Sequence, residues 1–386
     1  MGELGAITTG NTPSTSVSEY YSDDGMIWVT PTDISNNITY ETEKKLSKLG
    51  QQVGRVVPKN TILVTCIASI GKNTMLGKSG SFNQQINGLT PNEIKYVPYF
   101  LFTESTLWSA QMKKSAAAGT MQIVNRTEFS ELKTWIPTYE EQKKIGAYFA
   151  NLDRLITLHQ QKITLLIKLK KAMLEKMFPK KGSVIPEFRF NGFANAWEQR
   201  KLNEVLSFLK DGTHGTHADD ENGPLLLSAK NIKNGKIICD ETDRRISEEE
   251  YEKIHTNFSL EVGDVLLTIV GSIGETAILK DCSSITFQRS VAFLRPNGTI
   301  TSDFLYSEIQ TQKFQNELDS RKSTSAQPGI YLGDLSEVPI VFTTNLDEQT
   351  KIGDYFNNLD HLITLHQRKL DMLKKLKSAC LSEMFI

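Results

Sequence analysis

The chain of 386 residues is longer than one hydrophobic core usually supports, so its length predicts two or more domains. Hydrophobic residues make up 39% and charged residues 23%, which is the composition of an ordinary soluble globular protein. The net charge of −1 taken alone argues against a nucleic-acid partner, although the distribution of charge matters more than its sum.

No apolar run approaches the roughly 18 residues that a membrane span requires. The amino terminus has no signal-peptide pattern. The four cysteines are scattered without a CxxC pair, so neither a disulfide framework nor a zinc site is predicted. We therefore expect a cytoplasmic protein without a membrane partner.

The first 140 residues are predicted to form a mixed α+β domain. The run "TILVTCI" (61–67) is rich in β-branched residues and predicts a strand. The overlapping "IASIG" (67–71) lacks the context of a dinucleotide-binding loop and is interpreted as a hairpin turn. The stretch "VPYFLFTESTLWSAQMKK" (97–114) predicts a helix that follows the strands.

Residues 141–178 predict one long helix. They contain no proline, and their apolar residues recur in steps of three, four or seven. At 1.5 Å per residue the helix is expected to be about 55 Å long. The apolar seam is predicted to contain Ile145, Phe149, Leu152, Ile156 and, at its centre, His159, and to continue through Ile163, Leu166, Leu169, Met173 and Met177.

The next segment, 179–197, carries Pro, Gly and Ser and is interpreted as a connector. Beyond it, "DVLLTIV" (264–270) and "SVAFLRP" (290–296) predict strands, "VGSIG" (270–274) predicts a turn, and 302–318 predicts helical structure. The second half therefore repeats the mixed α+β pattern of the first.

The two halves are related as tandem copies. Residues 141–178 align without a gap on residues 348–385, and 25 of the 38 positions are identical. Weaker matches join 60–76 to 263–279 and 82–92 to 287–297, which indicates two domains rather than a solenoid. The predicted boundaries are 1–140 for the first domain, 141–179 for its helix, 180–346 for the connector and second domain, and 347–386 for the second helix.

The second helix repeats the seam of the first at Ile352, Phe356, Leu359, Ile363 and His366, and again through Leu370, Leu373, Leu376, Cys380 and Met384. Such a helix cannot bury its seam alone, and the near-identical copy is the expected partner. Because a domain lies between the copies, an antiparallel coiled coil is predicted. A metal or catalytic role for the two histidines stays open, although a polar residue that fixes register is the preferred interpretation.

Motifs for chemistry are absent from the sequence. It contains no GxxxxGK[ST] loop and no methyltransferase NPP[FY] motif. His214 and His217 in "GTHGTH" (212–217) are three residues apart, but no further cluster completes a metal site, so no metal is predicted. The run "SEEEYEK" (247–253) is interpreted as a solvated helix face.

Polar segments recur at equivalent places in both halves and contain the residue types that contact bases and phosphates. Taken alone, each segment is interpreted as an ordinary surface loop, and only the recurrence in both halves makes contact with DNA an equal alternative. In the first half the candidate DNA-binding residues are Asn83, Gln84, Gln85, Thr120, Gln122, Asn125 and Arg126. In the second half they are Thr213, His214, Lys230, Asn231, Arg289, Arg321, Lys322, Ser323, Thr324 and Gln327.

With two variable α+β domains, each closed by a helix of pattern "EQ-K-I---F--LD-LI-LHQ-K---L-KLK", the chain resembles the specificity subunit of Type I restriction–modification systems over essentially its whole length. The resemblance implies that each domain reads one half of a bipartite, asymmetric site in double-stranded DNA. It also implies that the paired helices act as a spacer. The subunit would bind no cofactor itself and would have no catalysis of its own.

The resemblance further implies two methyltransferase subunits that use S-adenosylmethionine and, in the full complex, two motor and nuclease subunits that use ATP and Mg²⁺. The spacer fits the physics, because half-sites one helical turn apart lie about 34–36 Å from each other. The alternatives are a coiled-coil DNA-binding repressor, and an enzyme such as a fused Type II restriction–modification protein.

One departure from the family pattern concerns the first module. Met1–Leu4 aligns with Leu202–Val205, so the first module has no counterpart to "EFRFNGFANAWEQRK" (187–201). Either the start is shortened, or the first domain forms without this segment.

Overall fold

The structure is a computed structural model that describes residues 1–116, 123–256, 258–323 and 328–385. The chain divides into two compact units. Unit 1 contains Met1–Gln160 and Arg368–Ile386, and unit 2 contains Gln161–Gln367. Both long helices cross the boundary, so each unit holds a part of both.

Unit 1 contains a strand-rich module that is followed by helices. Its strands are β1 (Gly5–Thr9), β2 (Tyr21–Val29), β3 (Ile38–Thr39), β4 (Lys45–Leu46), β5 (Ile62–Thr65), β6 (Asn73–Leu76), β7 (Ser81–Phe82) and β8 (Ile86–Pro91). Its helices are α1 (Lys48–Val53), α2 (Pro98–Ala116), α3 (Arg126–Glu131) and the first part of α4 (Tyr139–Met177). The main sheet has the order β1-β8-β5-β6-β3, and a smaller sheet has the order β4-β2-β7. The predicted strand at 61–67 and the predicted helix at 97–114 are present as β5 and α2.

Unit 2 repeats this organisation. Its strands are β9 (Glu198–Lys201), β10 (Leu206–Asp211), β11 (Leu225–Leu227), β12 (Ile232–Lys233), β13 (Lys236–Ile237), β14 (Val265–Thr268), β15 (Thr276–Ile278), β16 (Ile285–Phe287), β17 (Val291–Pro296) and β18 (Pro339–Phe342). Its helices are α5 (Glu248–His255), α6 (Ser302–Ile309), α7 (Gln312–Ser320), α8 (Leu332–Ser336) and the first part of α9 (Leu346–Met384). The main sheet has the order β10-β17-β14-β15.

The two main sheets share one topology. β1, β8, β5 and β6 pair antiparallel in that order, and so do β10, β17, β14 and β15. A short parallel pair accompanies each sheet, β2 with β7 in unit 1 and β11 with β16 in unit 2. The repeat in the sequence is thus also a repeat of strand order.

The predicted hairpin turns are confirmed in both sheets. The hydroxyl oxygen of Thr65 accepts the amide of Lys72 at 2.9 Å, and that of Thr268 accepts the amide of Glu275 at 2.9 Å. Gly274 has φ +98°, in the left-handed region that glycine adopts without strain. The threonine therefore fixes the turn at its start, and the glycine allows it to close.

The helical stretch predicted at 302–318 is divided into α6 and α7. Thr311 lies between them with extended backbone angles, and its hydroxyl accepts the amide of Phe314 at 3.2 Å. A threonine that caps a helix in this way begins a new helix rather than continuing the previous one. The acidic run at 247–253 forms α5, which has no buried residue.

The long helices α4 and α9 are each 39 residues long and run antiparallel within each unit. In unit 1, Asp153 pairs with Lys377, while Tyr148, which precedes Asp153, contacts Cys380, which follows Lys377. In unit 2, Lys170 of α4 pairs with Asp360 of α9, and Phe178 just beyond α4 packs on Phe356, with ring centroids 6.0 Å apart.

Most of the predicted seam is buried or half-buried, and it also attaches each helix to the module before it. Ile145 and Phe149 share a buried cluster with Phe100 and Leu101 of α2. In the same way, the second helix contributes to a cluster with α6 of unit 2 through Ile352, Phe356 and Leu359. Leu152 is buried, and the remaining seam residues Ile156, His159, Ile363 and His366 are half-buried.

Three later seam predictions were wrong, because Leu169, Leu376 and Met384 are 44%, 43% and 44% exposed. The inward positions beside the two leucines are taken by Lys170 and Lys377, whose ammonium groups reach the aspartates of the opposite helix. An ion pair therefore occupies the seam where the spacing alone predicts leucine.

Candidate nucleic-acid interface

In unit 1 several of the candidate DNA-binding residues lie at one end of the main sheet. The pairings Thr9 with Asn87, Val64 with Asn87 and Val64 with Asn73 place the end of β1, the start of β8 and the β5–β6 turn at that end. Segment 123–126 joins them, since the amide of Val124 donates to the carbonyl of Cys66 at 3.0 Å. We call this surface the loop end of unit 1; it comprises residues 10–12, 66–72, 83–85 and 123–126.

Unit 2 has an equivalent surface. Leu267 pairs with both Ala292 and Thr276, which brings the β14–β15 turn beside the start of β17. The carbonyl of Ile269 accepts the amide of Ile330, and the hydroxyl of Ser290 accepts the amide of Ala229. The loop end of unit 2 therefore comprises residues 212–217, 228–231, 269–275, 288–290 and 328–330.

A glycine begins the first segment of each loop end because the backbones approach closely there. A Cβ atom on Gly10 would lie 2.1 Å from the carbonyl oxygen of Asn83, and one on Gly212 would lie 2.1 Å from that of Phe287. The next residue donates its amide across the gap in both units, Asn11 to Phe82 and Thr213 to Phe287, each at 2.9 Å. The backbone framework is thus the same at both loop ends.

Gln84 and Arg289 occupy equivalent positions in these frameworks, each two residues after the phenylalanine that accepts this bond. Both side chains are exposed. The amide oxygen of Gln84 accepts a hydrogen bond from the hydroxyl of Thr12. The guanidinium of Arg289 makes no hydrogen bond or ion pair with another described residue, so it is available to a ligand.

Hydrogen bonds of the two histidines hold the "GTHGTH" segment in place. Nε2 of His217 lies 2.7 Å from the hydroxyl of Thr213, and its Nδ1 lies 2.8 Å from a carboxylate oxygen of Glu250 in α5. The bond to His217, together with one from Lys253, lowers the pKa of Glu250. His214 is exposed and lies 2.6 Å from Asp211.

Three asparagines among the candidates have structural roles. Asn83 is buried, and its side-chain oxygen Oδ1 accepts a hydrogen bond from the backbone amide of Gln85 at 3.1 Å. Asn125 caps α3, with its side chain accepting the amide of Glu128 at 3.0 Å. Asn231 is buried and uses both ends of its amide, which bond to the backbone of Ser228 and Ile238 and to the carboxylate of Asp243.

Three of the other candidate cations are paired within the protein. Lys230 lies 2.8 Å from Asp243, and this contact is the main cause that lowers the pKa of Asp243 to about 2. Arg321 and Lys322 pair with Glu317 and Asp319 at the end of α7.

The remaining described candidates differ in exposure and bonding. Arg126 is exposed at the start of α3. The amide and hydroxyl of Ser323 bond to the backbone of Gly329. Gln85 is half-buried.

Four of the candidates, Thr120, Gln122, Thr324 and Gln327, lie outside the described residues. Sequence reasoning missed residues at the loop end of unit 1. The side-chain oxygen of Asn11 accepts the amide of Arg55 at 2.8 Å, and the guanidinium of Arg55 donates to the carbonyl of Thr9 at 2.6 Å. Extending the repeat alignment back to "GTHGTH" would have found "GNT" (10–12).

Two other kinds of site are absent from the part of the chain that the structure describes. No group of three or more His, Cys, Asp or Glu side chains is placed to hold a metal ion. No helix combines the length and the apolar character that crossing a membrane requires.

The tandem modules and their closing helices define a class of protein that has known relatives. Residues 1–168 and 194–375 match the family described as "Type I restriction modification DNA specificity domain". The match covers most of the chain, so the chain belongs to the Type I restriction–modification specificity family.

Individual relatives agree with the family match. The MjaVIII specificity subunit of Methanocaldococcus jannaschii is 26% identical over 332 residues, 83% of this chain and 77% of that protein. The MjaIX specificity subunit of the same organism is 26% identical over 64% of this chain and 60% of its own length. The crystal structure of the Type I S subunit of M. genitalium has a TM-score of 0.65 at 14% identity and covers 100% of this chain and 94% of that one. The predicted fold of two α+β domains with antiparallel long helices is confirmed.

Proposed function

We propose that this chain is the DNA-recognition and scaffolding subunit of a Type I restriction–modification complex, in which each loop end reads one half of a bipartite, asymmetric site in double-stranded DNA. The side chains best placed to contact DNA are exposed at the loop ends: Gln84 and Arg126 in unit 1, and His214, Lys230 and Arg289 in unit 2. The buried asparagines hold the backbone that presents them.

The observation that carries the proposal is the pair Gln84 and Arg289. They occupy one position of a common framework, yet glutamine suits the edge of adenine and arginine suits the edge of guanine. Equal frameworks with unlike side chains support a site with two unequal halves. This difference also disfavours a repressor that binds two equal half-sites.

Docking of two methyltransferase subunits is supported by two equivalent apolar surfaces on the long helices. In unit 1, Leu155, Leu158, Met372 and Leu376 are 43–57% exposed. The residues at the same positions of the other helix, Leu362, Leu365, Leu165 and Leu169, are 41–62% exposed in unit 2. Exposed apolar groups of this kind mark protein interfaces, and two copies of one surface fit two copies of one partner.

In this proposal the chain performs no catalysis. The methyltransferase partners bring S-adenosylmethionine, and the two motor and nuclease subunits bring ATP and Mg²⁺. The long helices set the distance between the two reading surfaces. The proposed domain limits are residues 1–140 and 180–346, with 141–179 and 347–386 as the spacer helices.

The test is to replace Arg289 with Gln and to map the methylated sites of the complex assembled with its methyltransferase subunits. We expect one base pair to change or relax in one half-site, at a cost of about 1–3 kcal/mol for the original base, while the other half-site stays the same. The matched control is Lys280→Gln, which removes an exposed cation just beyond the opposite end of β15. Changes in both half-sites, or in neither, would contradict the assignment of one unit to one half.

A further inference from the structure

Two successive backbone hydrogen bonds, which we call the backbone linkage, cross the loop end of unit 2. The amide of Ile269 donates to the carbonyl of Ser290 at 2.9 Å, and the amide of Ile330 donates to the carbonyl of Ile269 at 2.9 Å. Arg289 precedes the first residue of this linkage, and Tyr331 follows the last. Because hydrogen-bonded backbones lie about 4.8 Å apart, the two ends of the linkage are separated by roughly 10 Å.

Unit 1 has the same backbone linkage. The amide of Cys66 donates to the carbonyl of Gln85 at 2.8 Å, and the amide of Val124 donates to the carbonyl of Cys66 at 3.0 Å. Gln84 precedes this linkage and Asn125 follows it. Each unit therefore presents two side chains from one framework, and of these two positions the proposed function uses only the one before the linkage.

The position after the linkage begins a short helix in both units, but its side chain differs between them. The segment "IVNRTEFSEL" (123–132) aligns without a gap on "GIYLGDLSEV" (329–338), so Tyr331 is the equivalent of Asn125. The side chain of Asn125 caps α3, whereas that of Tyr331 makes no capping hydrogen bond to α8. Since an asparagine stabilises the start of a helix and a tyrosine does not, the tyrosine contributes nothing to this local fold.

The ring of Tyr331 projects from an anchored backbone into solvent. Tyr331 is 69% exposed, and no other tyrosine that the structure describes is as exposed. Its hydroxyl makes no hydrogen bond with another described residue. On either side of it, Ile330 and Leu335 are buried. A tyrosine ring has only two rotatable side-chain bonds, so a ligand can immobilise it at a small cost in conformational entropy.

We propose that Tyr331 is a second DNA-contacting residue of unit 2, whose ring packs against base edges within about three base pairs of the base pair that Arg289 contacts. The distance follows from the linkage, because roughly 10 Å corresponds to about three steps of 3.4 Å along a duplex. Apolar side chains contribute to base readout in the major groove, for example by contact with the methyl group of thymine. DNA is the expected ligand because the ring shares its backbone linkage with the exposed guanidinium of Arg289. The inference rests on the proposed function and adds a specificity-determining residue to it.

The variant Tyr331→Asn tests the proposal by placing the residue of unit 1 in the framework of unit 2. Because asparagine is a preferred helix cap, this variant should unfold at the same temperature as the unchanged chain or at a higher one. We nevertheless expect its complex with the methyltransferase subunits to bind a duplex that carries the mapped site at least tenfold more weakly. Tyr331→Phe keeps the ring and should stay within twofold.

The matched control is Tyr40→Ala, which removes a tyrosine that is 56% exposed. Tyr40 follows β3, whose pairing of Thr39 with Leu76 places it at the end of the unit 1 sheet opposite the loop end. This variant should change the affinity for the duplex less than twofold. A tenfold loss for Tyr40→Ala would show that exposed tyrosines matter without regard to the loop ends, and would contradict the proposal.

Substituting each base pair of the site in turn locates the contact. Tyr331→Asn should reduce discrimination at a base pair of the half-site that Arg289→Gln also affects, and should leave the other half-site unchanged. Unchanged binding, an equal loss at all base pairs, an effect in the other half-site, or an equal loss for Tyr331→Phe would each overturn the proposal. A lower unfolding temperature for Tyr331→Asn would overturn it as well, because the ring would then be structural.

Arg289→Gln separates failure of this inference from failure of the proposed function. If only the inference is wrong, Arg289→Gln still changes one base pair while Tyr331→Asn changes none. If the proposed function is wrong, the unchanged complex shows no preference for any site, and both are overturned.

Discussion

Units 1 and 2 make the same tyrosine–aspartate hydrogen bond, but the tyrosines come from different positions in the repeat. The hydroxyl of Tyr99 donates to Asp153 at 2.9 Å, and that of Tyr306 donates to Asp360 at 3.0 Å. The aspartates are equivalent in the repeat. The tyrosines are not, because aligning "FLFTE" (100–104) with "FLYSE" (304–308) leaves them one helical turn apart. Residues three apart share a helix face, so either position can supply the hydroxyl.

The loop ends show the opposite relation. There the backbone contacts are common to both units, beginning with the glycines at 10 and 212, while the side chains differ. In the helical part, both units keep the tyrosine–aspartate hydrogen bond but supply the tyrosine from different positions. At the loop ends, both units keep the backbone framework but carry different side chains. This division fits the proposed function, in which one scaffold keeps its geometry while its two loop ends contact different DNA sequences.

The largest expected effect is loss of the ion pairs between the long helices. Lys377→Met leaves the carboxylate of Asp153, 7% exposed, without its cation, whereas Lys170→Met leaves that of Asp360, 29% exposed and open to hydration. Breaking a buried pair costs about 3–5 kcal/mol and an exposed one far less. We expect losses of about 3 kcal/mol in unit 1 and about 2 kcal/mol in unit 2.

Hydrogen exchange of the amides in α2 and α6, followed by mass spectrometry, measures the two units separately. The control is Lys143→Met, because the pair of Lys143 with Glu140 is exposed and should contribute little. A larger loss for Lys170→Met than for Lys377→Met would show that the bonds Lys170 makes to both carboxylate oxygens and to Gln310 outweigh the burial of the aspartate.

A smaller effect concerns two equivalent buried glutamates. Burial raises the pKa of Glu104 to about 8, and Glu104 accepts a hydrogen bond from Thr134. Between about pH 4.5 and pH 8 the unfolded chain releases this proton while the folded chain keeps it. The stability of unit 1 should therefore fall as pH rises through this window. Glu104→Gln should remove the slope, with a gain in stability that is several times larger at pH 8 than at pH 5.

Glu308 sharpens the comparison. Burial raises its pKa too, but Lys313 lies 3.1 Å away and opposes the shift. Glu308→Gln would leave the ammonium of Lys313 without its carboxylate, so no gain is expected in unit 2. Denaturation at pH 5 and pH 8 tests both variants against Glu131→Gln, at an exposed glutamate of unit 1. Equal gains for Glu104→Gln and Glu308→Gln would mean that the lysine contributes nothing.

The sequence predicts the parts of the molecule that depend on local spacing. The period of apolar residues predicts α4 and α9, and the β-branched runs predict β5, β14 and β17. The same spacing wrongly places Leu169 in the seam. Spacing carries no information about Asp360 of the opposite helix, whose carboxylate pairs with Lys170 and turns that side chain inward. Long-range pairs of this kind depend on which helix becomes the neighbour.

The loop ends could be predicted only as a set of residue types. Their convergence follows from the strand order β1-β8-β5-β6, which joins segments far apart in the chain. Residue type also cannot distinguish a side chain that contacts DNA from one that stabilises the backbone, since Asn231 and Gln84 are both polar residues of short loops. Burial distinguishes them, and burial is a property of the fold.

The smallest expected effect tests that distinction at Asn125. Its side chain caps α3, and the side chain of Glu128 returns a bond to its amide. Asn125→Ala should therefore destabilise unit 1 by about 1 kcal/mol, while Asn125→Ser, which preserves a capping oxygen, should cost only a few tenths. Both variants should keep the affinity for DNA within twofold once the fold is intact. If Asn125→Ser retains stability but loses tenfold in affinity for one half-site, the side chain of Asn125 contacts DNA as well as capping α3. One residue of unit 1 would then serve both the fold and DNA binding.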